Sequence, residues 1–225
     1  MILTDHQIKE ACGKGDLKIE PFENRQLQPA SYDLRVGEQG ITTSSKKKID
    51  VKADGFLVVH PGDFAVVLVH EEIALGSQYS ARFGLRSKYA RRGLVATTGL
   101  QVDPGYQGKL IVGITNLTPR PITLPYKDDF LSIEFHRLEV PASKPYSGPY
   151  QGRKELGPEE IAFIMESEGM ALSDVLTTLR SLSANVGTLT SDVTALTNEM
   201  KHYKWVVPVV LVIGMAIIGA IVAIK

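Results

Sequence analysis

Short runs of β-forming residues, each bordered by a turn signal, constrain the fold of this chain most. Four of them are GFLVVH, FAVVLVH, KLIVGITN and FLSIEF, and the turn signals HPGD, DPGYQG and TPRP stand at their borders. Apolar and β-branched residues fit a pleated sheet, and Gly and Pro close the turns between strands. Many short strands at such spacing are typical of an all-β barrel or sandwich. We therefore expect residues 1–142 to form a mainly β domain that opens with a helix over 4–13.

Composition argues against several classes of function. The 225 residues include 25 basic and 25 acidic side chains, so no excess of positive charge favours polymeric nucleic acid as a partner. The single cysteine, Cys12, has no partner for an internal disulfide, which fits a reducing compartment. The five histidines lack the spacing typical of metal ligands, so a metal held by protein side chains is not expected.

The chain changes character after the β domain. Residues 143–157, SKPYSGPYQGRKELG, have no apolar periodicity and are rich in Pro, Gly and Tyr, which indicates an ordered arm or a linker. From 158 the chain is expected to be helical, and from 172 apolar residues recur alternately three and four positions apart, which predicts a helix and coiled-coil stalk over 158–204. The repeat consists of Leu172, Val175, Leu179, Leu182, Val186, Leu189, Val193, Leu196, Met200 and Tyr203. Valine at one core position and leucine at the other favour a coiled coil of two helices, although an attached domain would decide the number of helices.

The last segment, 205–225, is expected to anchor the chain in a membrane. Residues 205–224 contain no charge over twenty positions, enough for a helix to cross a layer of about 30 Å. Lys201 and Lys204 precede this run and only Lys225 follows it, which places the N-terminal part in the cytoplasm by the positive-inside tendency. The sequence therefore predicts a single-pass C-terminal anchor with the lipid bilayer as a partner.

Two polar motifs could carry chemistry. LRSKYARRGL brings together the guanidinium groups of Arg86 and Arg91 and the hydroxyl of Ser87, which suit phosphate oxygens, although basic clusters are more often solvated faces. VDPGYQG places Asp103 at a tight turn, where a carboxylate could orient water or hold a ribose hydroxyl. The alternative for Asp103 is a side chain that satisfies turn amides.

The order of the motifs is more specific than any one of them. MILTD, LQPASYDLRVG, HPGDFAVV, RSKYARRGL, VDPGYQG and PYSGPYQG follow one another over residues 1–153. In this order they resemble the dCTP deaminase branch of the dUTPase superfamily. The resemblance implies a distorted dUTPase-like β-barrel or jelly roll that assembles as a homotrimer. It also implies sites between subunits that bind a deoxynucleoside triphosphate, with Mg²⁺ held through the substrate phosphates.

The resemblance also implies roles for individual residues. Arg86, Ser87 and Arg91 match a motif that contacts phosphate or assists the reacting water. Asp103 matches the acid that lies under the deoxyribose and activates water, and Tyr106 matches a ring that stacks on the sugar. The catalytic set expected from the family is therefore Asp103, Ser87 and Arg91, with Arg86 and Tyr106 binding the substrate.

Further substrate-binding residues follow from the same resemblance. Gly108 ends the VDPGYQG motif, and Asp33 in SYDL matches an acid near the phosphates whose expected task is structural. In the arm, Tyr150 and Gln151 match a segment that folds over the triphosphate. Arg153 stands where the deaminases have Gln, so a cation is gained there.

Departures from the family pattern bear on the reaction. Gly113 occupies the position at which deaminases carry the Glu that acts as general base and acid on cytosine. Loss of such a group costs about 10²–10⁴-fold in rate. Lys88 replaces a Ser of the phosphate motif, Pro149 replaces a Lys of the arm, and Ser132 replaces a Gln that frames the base.

These observations favour dUTP pyrophosphatase activity over deamination, since attack of water on phosphorus needs a carboxylate, Mg²⁺ and cations rather than the missing Glu. Two alternatives stay open. In the first, the domain binds a nucleotide without turnover and signals through the stalk. In the second, it is a structural trimeric head that has lost its chemistry.

Overall fold

The computed structural model describes residues 1–99, 101–166 and 172–223. The strands of this part are β1 Leu17–Glu20, β2 Leu27–Gln28, β3 Ser31–Thr42, β4 Ile49–Asp50, β5 Phe56–Val59, β6 Phe64–Leu75, β7 Tyr79–Leu85, β8 Leu94–Thr97, β9 Gln107–Asn116, β10 Ile122–Pro125 and β11 Asp129–Arg137. The helices are α1 Asp5–Lys14, α2 Val51–Asp54, α3 Ser87–Ala90, α4 Pro158–Glu166 and α5 Leu172–Ala223.

The strands form one large antiparallel sheet and one small one. The large sheet has the order β7–β11–β3–β6–β9–β8, with β1 paired to β6 and with β2 and β4 paired to β3. The small sheet pairs β5 with β10. An antiparallel sheet can bury one face in the core while its other face stays more exposed. This agrees with the alternation of apolar and polar residues in the sequence. The mainly β, barrel-like fold predicted for 1–142 is confirmed.

The predicted opening helix is confirmed, displaced by one residue. It begins after Thr4, whose backbone N–H donates to the side-chain oxygen of Gln7 at 3.0 Å. It ends at Gly15, which adopts a positive φ of 79°. Since glycine has no Cβ, it takes this left-handed conformation without steric cost and terminates the helix.

Strand β9 has one face in the core and the opposite face towards the outside of the sheet. Its even-numbered residues from Gly108 to Asn116 are buried, while the odd-numbered ones are partly or fully exposed. Leu110, Val112 and Ile114 enter the main hydrophobic core. Side chains alternate between faces at every residue of a strand, so the odd-numbered residues share the opposite face.

Helix α4 packs on this outer face. Ile164 is fully buried in a small second cluster together with Ile41, Val66, Leu68 and Leu156. Residues 41, 66 and 68 belong to β3 and β6, so the cluster joins α4 to the middle of the large sheet. The compact unit that contains the β domain extends over Met1–Asp174 and includes the arm and α4.

The second compact unit, Val175–Lys225, consists of most of α5. Its Ser and Thr side chains bond to carbonyl groups within the helix, as in Thr190 to Val186 at 2.8 Å and Thr197 to Val193 at 2.7 Å. These bonds satisfy the hydroxyl groups without ending the helix. The helix predicted from the repeat is confirmed, and its assembly into a coiled coil stays a prediction.

The membrane anchor predicted over 205–225 is not supported. In the part of the chain that the structure describes, no helix is long and apolar enough to cross a membrane. The last two residues of the predicted anchor segment, 224 and 225, lie outside the described residues.

Candidate functional site

A cavity of about 630 Å³ lies on the outer face of β9. Its floor includes the odd-numbered residues Lys109, Ile111 and Gly113, which point away from the core. Two residues of a strand span about 6.7 Å, so Lys109 and Gly113 are about 13 Å apart. The cavity therefore has two ends that can differ in chemistry, one near Lys109 and one near Gly113.

The end near Lys109 is polar and includes the turn that precedes β9. Asp103 lines the cavity with an exposed side chain, and one of its oxygens accepts a hydrogen bond from Gln101 Nε2 at 2.9 Å. Tyr106 also lines it but is buried, and its hydroxyl donates to the carbonyl oxygen of Lys109 at 2.8 Å. Burial raises the pKa of Tyr106 to about 12, so the phenol stays protonated at neutral pH.

The arm docks against this polar end through its backbone. The amide of Lys109 donates to the carbonyl oxygen of Arg153 at 2.7 Å. Gly108 has a φ of 144°, and a Cβ on it would lie 2.9 Å from the backbone nitrogen and oxygen of Arg153. Glycine is thus required at 108 because the arm approaches the strand so closely. Gly108 of the VDPGYQG motif and Arg153 of the arm, which lie in separate segments of the sequence, are thus brought together here.

Side chains of the arm complete the polar wall. Gln151 accepts from the amide of Gln107 at 3.1 Å and donates to the carbonyl oxygen of Gly105 at 3.0 Å. Both Tyr150 and Arg153 line the cavity, and the guanidinium carbon of Arg153 lies 5.1 Å from the centre of the Tyr150 ring. Gln151 therefore fixes the arm, while Tyr150 and Arg153 face the cavity.

Both cations that line the cavity are already paired with carboxylates. Arg153 Nη1 bonds to Glu160 Oε2 of α4 at 2.9 Å. Lys109 Nζ bonds to Glu38 Oε2 of β3 at 2.6 Å. Burial raises the pKa of Glu38, but hydrogen bonds and charge from Lys109, together with His70, outweigh it and hold the pKa at about 2. Glu38 is therefore ionised at neutral pH and neutralises Lys109.

The end near Gly113 is apolar and tightly filled. A Cβ on Gly113 would lie 2.8 Å from Cζ of Phe64 and 3.1 Å from the carbonyl oxygen of Thr97. Phe64 therefore occupies the space that a side chain at 113 would need. The ring of Phe163 from α4 meets Phe64 edge-on, with centroids 6.0 Å apart. No carboxylate can enter from position 113 without moving the Phe64 ring.

The other residues predicted for the site do not line this cavity. Ser87 and Arg91 are exposed at α3 and the residue after it. Arg86 bonds to Asp33 at 3.0 Å and to Asp129 at 3.1 Å, so its guanidinium joins strands rather than facing the cavity. Asp33 is buried, and its expected structural role stays a prediction. Convergence of Ser87 and Arg91 with Asp103 across a subunit boundary stays a prediction.

Sequence reasoning missed Phe64, Lys109 and Glu160 as parts of the site. The alternation of KLIVGITN would have placed Lys109 on the face of Gly113, since these residues are four apart in a strand. Phe64 was predicted only as one of the apolar residues of a strand. Glu160 was assigned to the stalk, and only the tertiary structure places it beside Arg153.

Comparison with known proteins identifies the family of the chain. The model of the dCTP deaminase-like family matches residues 2–138. The dCTP deaminase of Thermococcus sibiricus is 40% identical over 156 residues, which cover 69% of this chain and 95% of the relative. The dUMP-forming dCTP deaminase of Methanothermobacter thermautotrophicus is 33% identical over 175 residues, with 69% of this chain and 89% of the relative covered.

A solved structure shows the same fold. The 2′-deoxycytidine 5′-triphosphate deaminase from Agrobacterium tumefaciens superimposes with a TM-score of 0.52 at 24% identity, over 60% of this chain and 48% of that one. The likeness spans about half of that protein and concerns the fold alone. The family model covers more than half of the present chain and ends before the arm and α4. The chain thus belongs to the dCTP deaminase-like family.

Proposed function

We propose that the chain assembles as a homotrimer that binds a deoxynucleoside triphosphate and cleaves dUTP, or a related triphosphate, to the monophosphate and pyrophosphate. The names of the relatives support a deoxynucleotide ligand, and the name of the dUMP-forming one describes a product with a single phosphate. A trimer would allow Ser87 and Arg91 of one copy to approach Asp103 of another.

The filled space at Gly113 is the observation that favours phosphate cleavage over deamination. Deamination needs a group that deprotonates water and then protonates the departing ammonia. Gly113 has no such group, and the ring of Phe64 occupies the volume from which one would act. Attack of water on the α-phosphorus makes no demand on this end of the cavity.

The polar end suits the proposed reaction. Asp103 lines the cavity, is exposed and has one side-chain hydrogen-bond partner among the described residues, Gln101, so its other oxygen could orient a water and accept its proton. The water oxygen would bond to the α-phosphorus while the bond to the bridging oxygen breaks and pyrophosphate leaves. Arg153 would bind phosphate oxygens, and Tyr150 would cover the nucleotide.

Mg²⁺ fits this site as an ion carried by the substrate. In the described ranges no group of three or more His, Cys, Asp or Glu side chains is placed to hold a metal ion. Oxygen ligands suit Mg²⁺, which commonly binds through one or two carboxylates and substrate phosphates. Bound in this way, Mg²⁺ would neutralise the phosphates, and Asp103 would supply the nearby carboxylate.

The proposal is tested by replacing the acid. The full chain is supplied with Mg²⁺ and with dUTP, dCTP or dTTP, and released pyrophosphate and nucleotide products are resolved. We expect Asp103→Asn to lower the rate of pyrophosphate release by about 10²–10⁴-fold, because the amide does not accept the proton of water. Asp54→Asn, an exposed change in α2 away from the cavity, is the matched control.

Two results would contradict the proposal. Equal rates for Asp103→Asn and the unchanged chain would exclude the role of the acid. Conversion of dCTP to a deaminated product would overturn the inference from Gly113.

A second candidate function is nucleotide binding without turnover. It is favoured by the placement of Ser87 and Arg91 outside the cavity that Asp103 lines, which leaves the expected catalytic set incomplete within one copy of the chain. Thermal stabilisation of the chain by a nucleotide that stays intact for hours would support this function and exclude the first.

A further inference from the structure

Helix α4 lies over the cavity as part of its wall. Glu159, Glu160 and Phe163 line the cavity, while Ile164 is fully buried between α4 and the sheet. The helix thus holds to the β domain by a small apolar contact. Since the family model ends at residue 138, α4 is an addition to the part of the chain that matches the family.

The first turn of α4 is held by one carboxylate. Glu160 Oε2 accepts from the amide of Gly157 at 2.8 Å and from Arg153 Nη1 at 2.9 Å. Glu159 lies at a longer distance, 3.8 Å from Arg153 Nη2. Glu160 and Arg153 are both largely shielded from water, with side-chain exposures of 15% and 16%. Screening by solvent is therefore limited, and this ion pair is stronger than a pair on the open surface.

With α4 in place, the charge of the cavity opposes a polyphosphate. The charged lining residues are two cations, Lys109 and Arg153, and three carboxylates, Asp103, Glu159 and Glu160, a net charge of −1. Without α4 the two Glu side chains leave, and the lining has a net charge of +1. Glu38, which pairs with Lys109 but does not line the cavity, lowers both totals by one. A triphosphate therefore meets less repulsion after α4 has moved.

We propose that α4 is an autoinhibitory lid, and that a polyphosphate takes Arg153 from Glu160 and so releases the helix from the cavity. This inference rests on the proposed nucleotide function, because it names the regulation of the same site. The phosphate oxygens and the carboxylate of Glu160 compete for the same guanidinium. Occupancy of the cavity and detachment of α4 are then coupled, and each weakens the closed state.

The test measures binding to the full chain by titration calorimetry, with dUTP in which an imido group replaces the α,β-bridging oxygen, and with inorganic tripolyphosphate as a second probe. Glu160→Gln keeps an acceptor for the amide of Gly157 but removes the charge that holds Arg153. We expect both probes to bind this variant about tenfold more tightly than the unchanged chain, since a charge-assisted bond no longer competes. Ile164→Ala, which loosens the apolar contact, should also tighten binding.

Glu155→Gln is the matched control. Glu155 pairs with Lys48 at 3.3 Å on the surface and does not line the cavity, so its change should leave the affinity as it is. A second readout is hydrogen exchange of the amides in 158–166, which should become faster when the imido nucleotide binds. A merely structural role of α4 would not produce that change.

The outcomes separate the lid from the nucleotide function. Equal affinities of the unchanged chain and of Glu160→Gln would overturn the lid and leave nucleotide binding intact. Weaker binding by Glu160→Gln would make Glu160 part of the ligand site and would also overturn the lid. No binding of either probe by any variant would overturn both inferences.

Discussion

Gly113 and Phe64 form a pair in which each residue depends on the size of the other. The ring of Phe64 lies within 2.8 Å of the position of a Cβ at 113, and the carbonyl of Thr97 limits that space from the other side. Position 113 lies between β6 and β8, so the backbone has neighbours on both sides and little freedom to shift.

We predict that Gly113→Ala destabilises the fold. The added methyl group overpacks a filled space, which costs about 1–3 kcal/mol in the free energy of unfolding. The measurement is denaturant unfolding of the full chain, followed by circular dichroism. Gly84→Ala is the matched control, because Gly84 also lies in a strand and a Cβ there would have no atom within 4 Å. Equal effects of the two substitutions would contradict the prediction.

At this scale the sequence predicted the absence of a carboxylate at 113, but not the side-chain contacts that surround the site. The motif order located Gly113 and Asp103, and both line the cavity. It did not predict the buried ion pair of Arg35 and Glu71, in which Nε and Oε1 are 2.6 Å apart. Charged residues in an alternating strand read as solvent-facing, and only the partner strand shows that they neutralise each other inside.

At the scale of elements, a charged cluster couples the cavity to strands beneath it. Glu38 of β3 bonds to Lys109 of β9 and, at 2.9 Å, to His70 of β6. The hydroxyl of Tyr126 adds a longer bond at 3.3 Å. The cluster holds the ammonium group of Lys109 at the polar end of the cavity and joins three neighbouring strands.

This cluster predicts a dependence of stability on pH. The pKa of Glu38 falls from 4.5 to about 2 on folding, so its ionised form stabilises the fold above pH 4.5, and this stabilisation is lost as the pH falls towards 2. Relative to Glu38→Gln, the unchanged chain should be more stable by about 2 kcal/mol at pH 7, allowing for solvent screening.

The measurement is urea unfolding of both chains between pH 7 and pH 2. The difference in free energy of unfolding should be constant down to about pH 5 and then shrink. A difference that grows on acidification, or one that stays the same to pH 2, would contradict the assignment of Glu38.

The elements themselves show how far a pattern reaches. Alternation in β9 and the turn signals predicted the strands, because burial of one face is encoded locally. The docking of α4 on the large sheet could not be predicted, since the sequence assigned residues 158–204 to one helical stalk. Which surface an amphipathic helix covers depends on contacts distant in sequence.

At the scale of the whole molecule, α5 carries a stripe of exposed apolar side chains. The exposed fraction of these side chains lies between 53% and 62%. The residues are Leu179, Leu182, Val186, Leu189, Val193, Leu196 and Met200. Their spacing is that of a coiled-coil seam, and other copies of the chain are the partners that we predict for it.

We predict that Leu189→Asn weakens assembly of the full chain, measured by sedimentation equilibrium. Burial of one Leu side chain is worth about 1.5–3 kcal/mol per copy, so the dissociation constant should rise by more than about tenfold. Ser191→Asn is the matched control, because residue 191 lies away from the stripe on the same helix. Equal assembly of the two variants would exclude the stripe as an interface, and the observed mass would decide between two and three copies.

The contact of Phe64 with Gly113 also limits the mutational paths open to this chain. An acidic residue introduced first at 113 would collide with the ring, and a smaller residue introduced first at 64 would leave a void. Each single step lowers stability, so placing a carboxylate at 113 requires two coupled changes, of which either one alone is costly. The pair therefore makes the loss of a side chain at 113 difficult to reverse one substitution at a time.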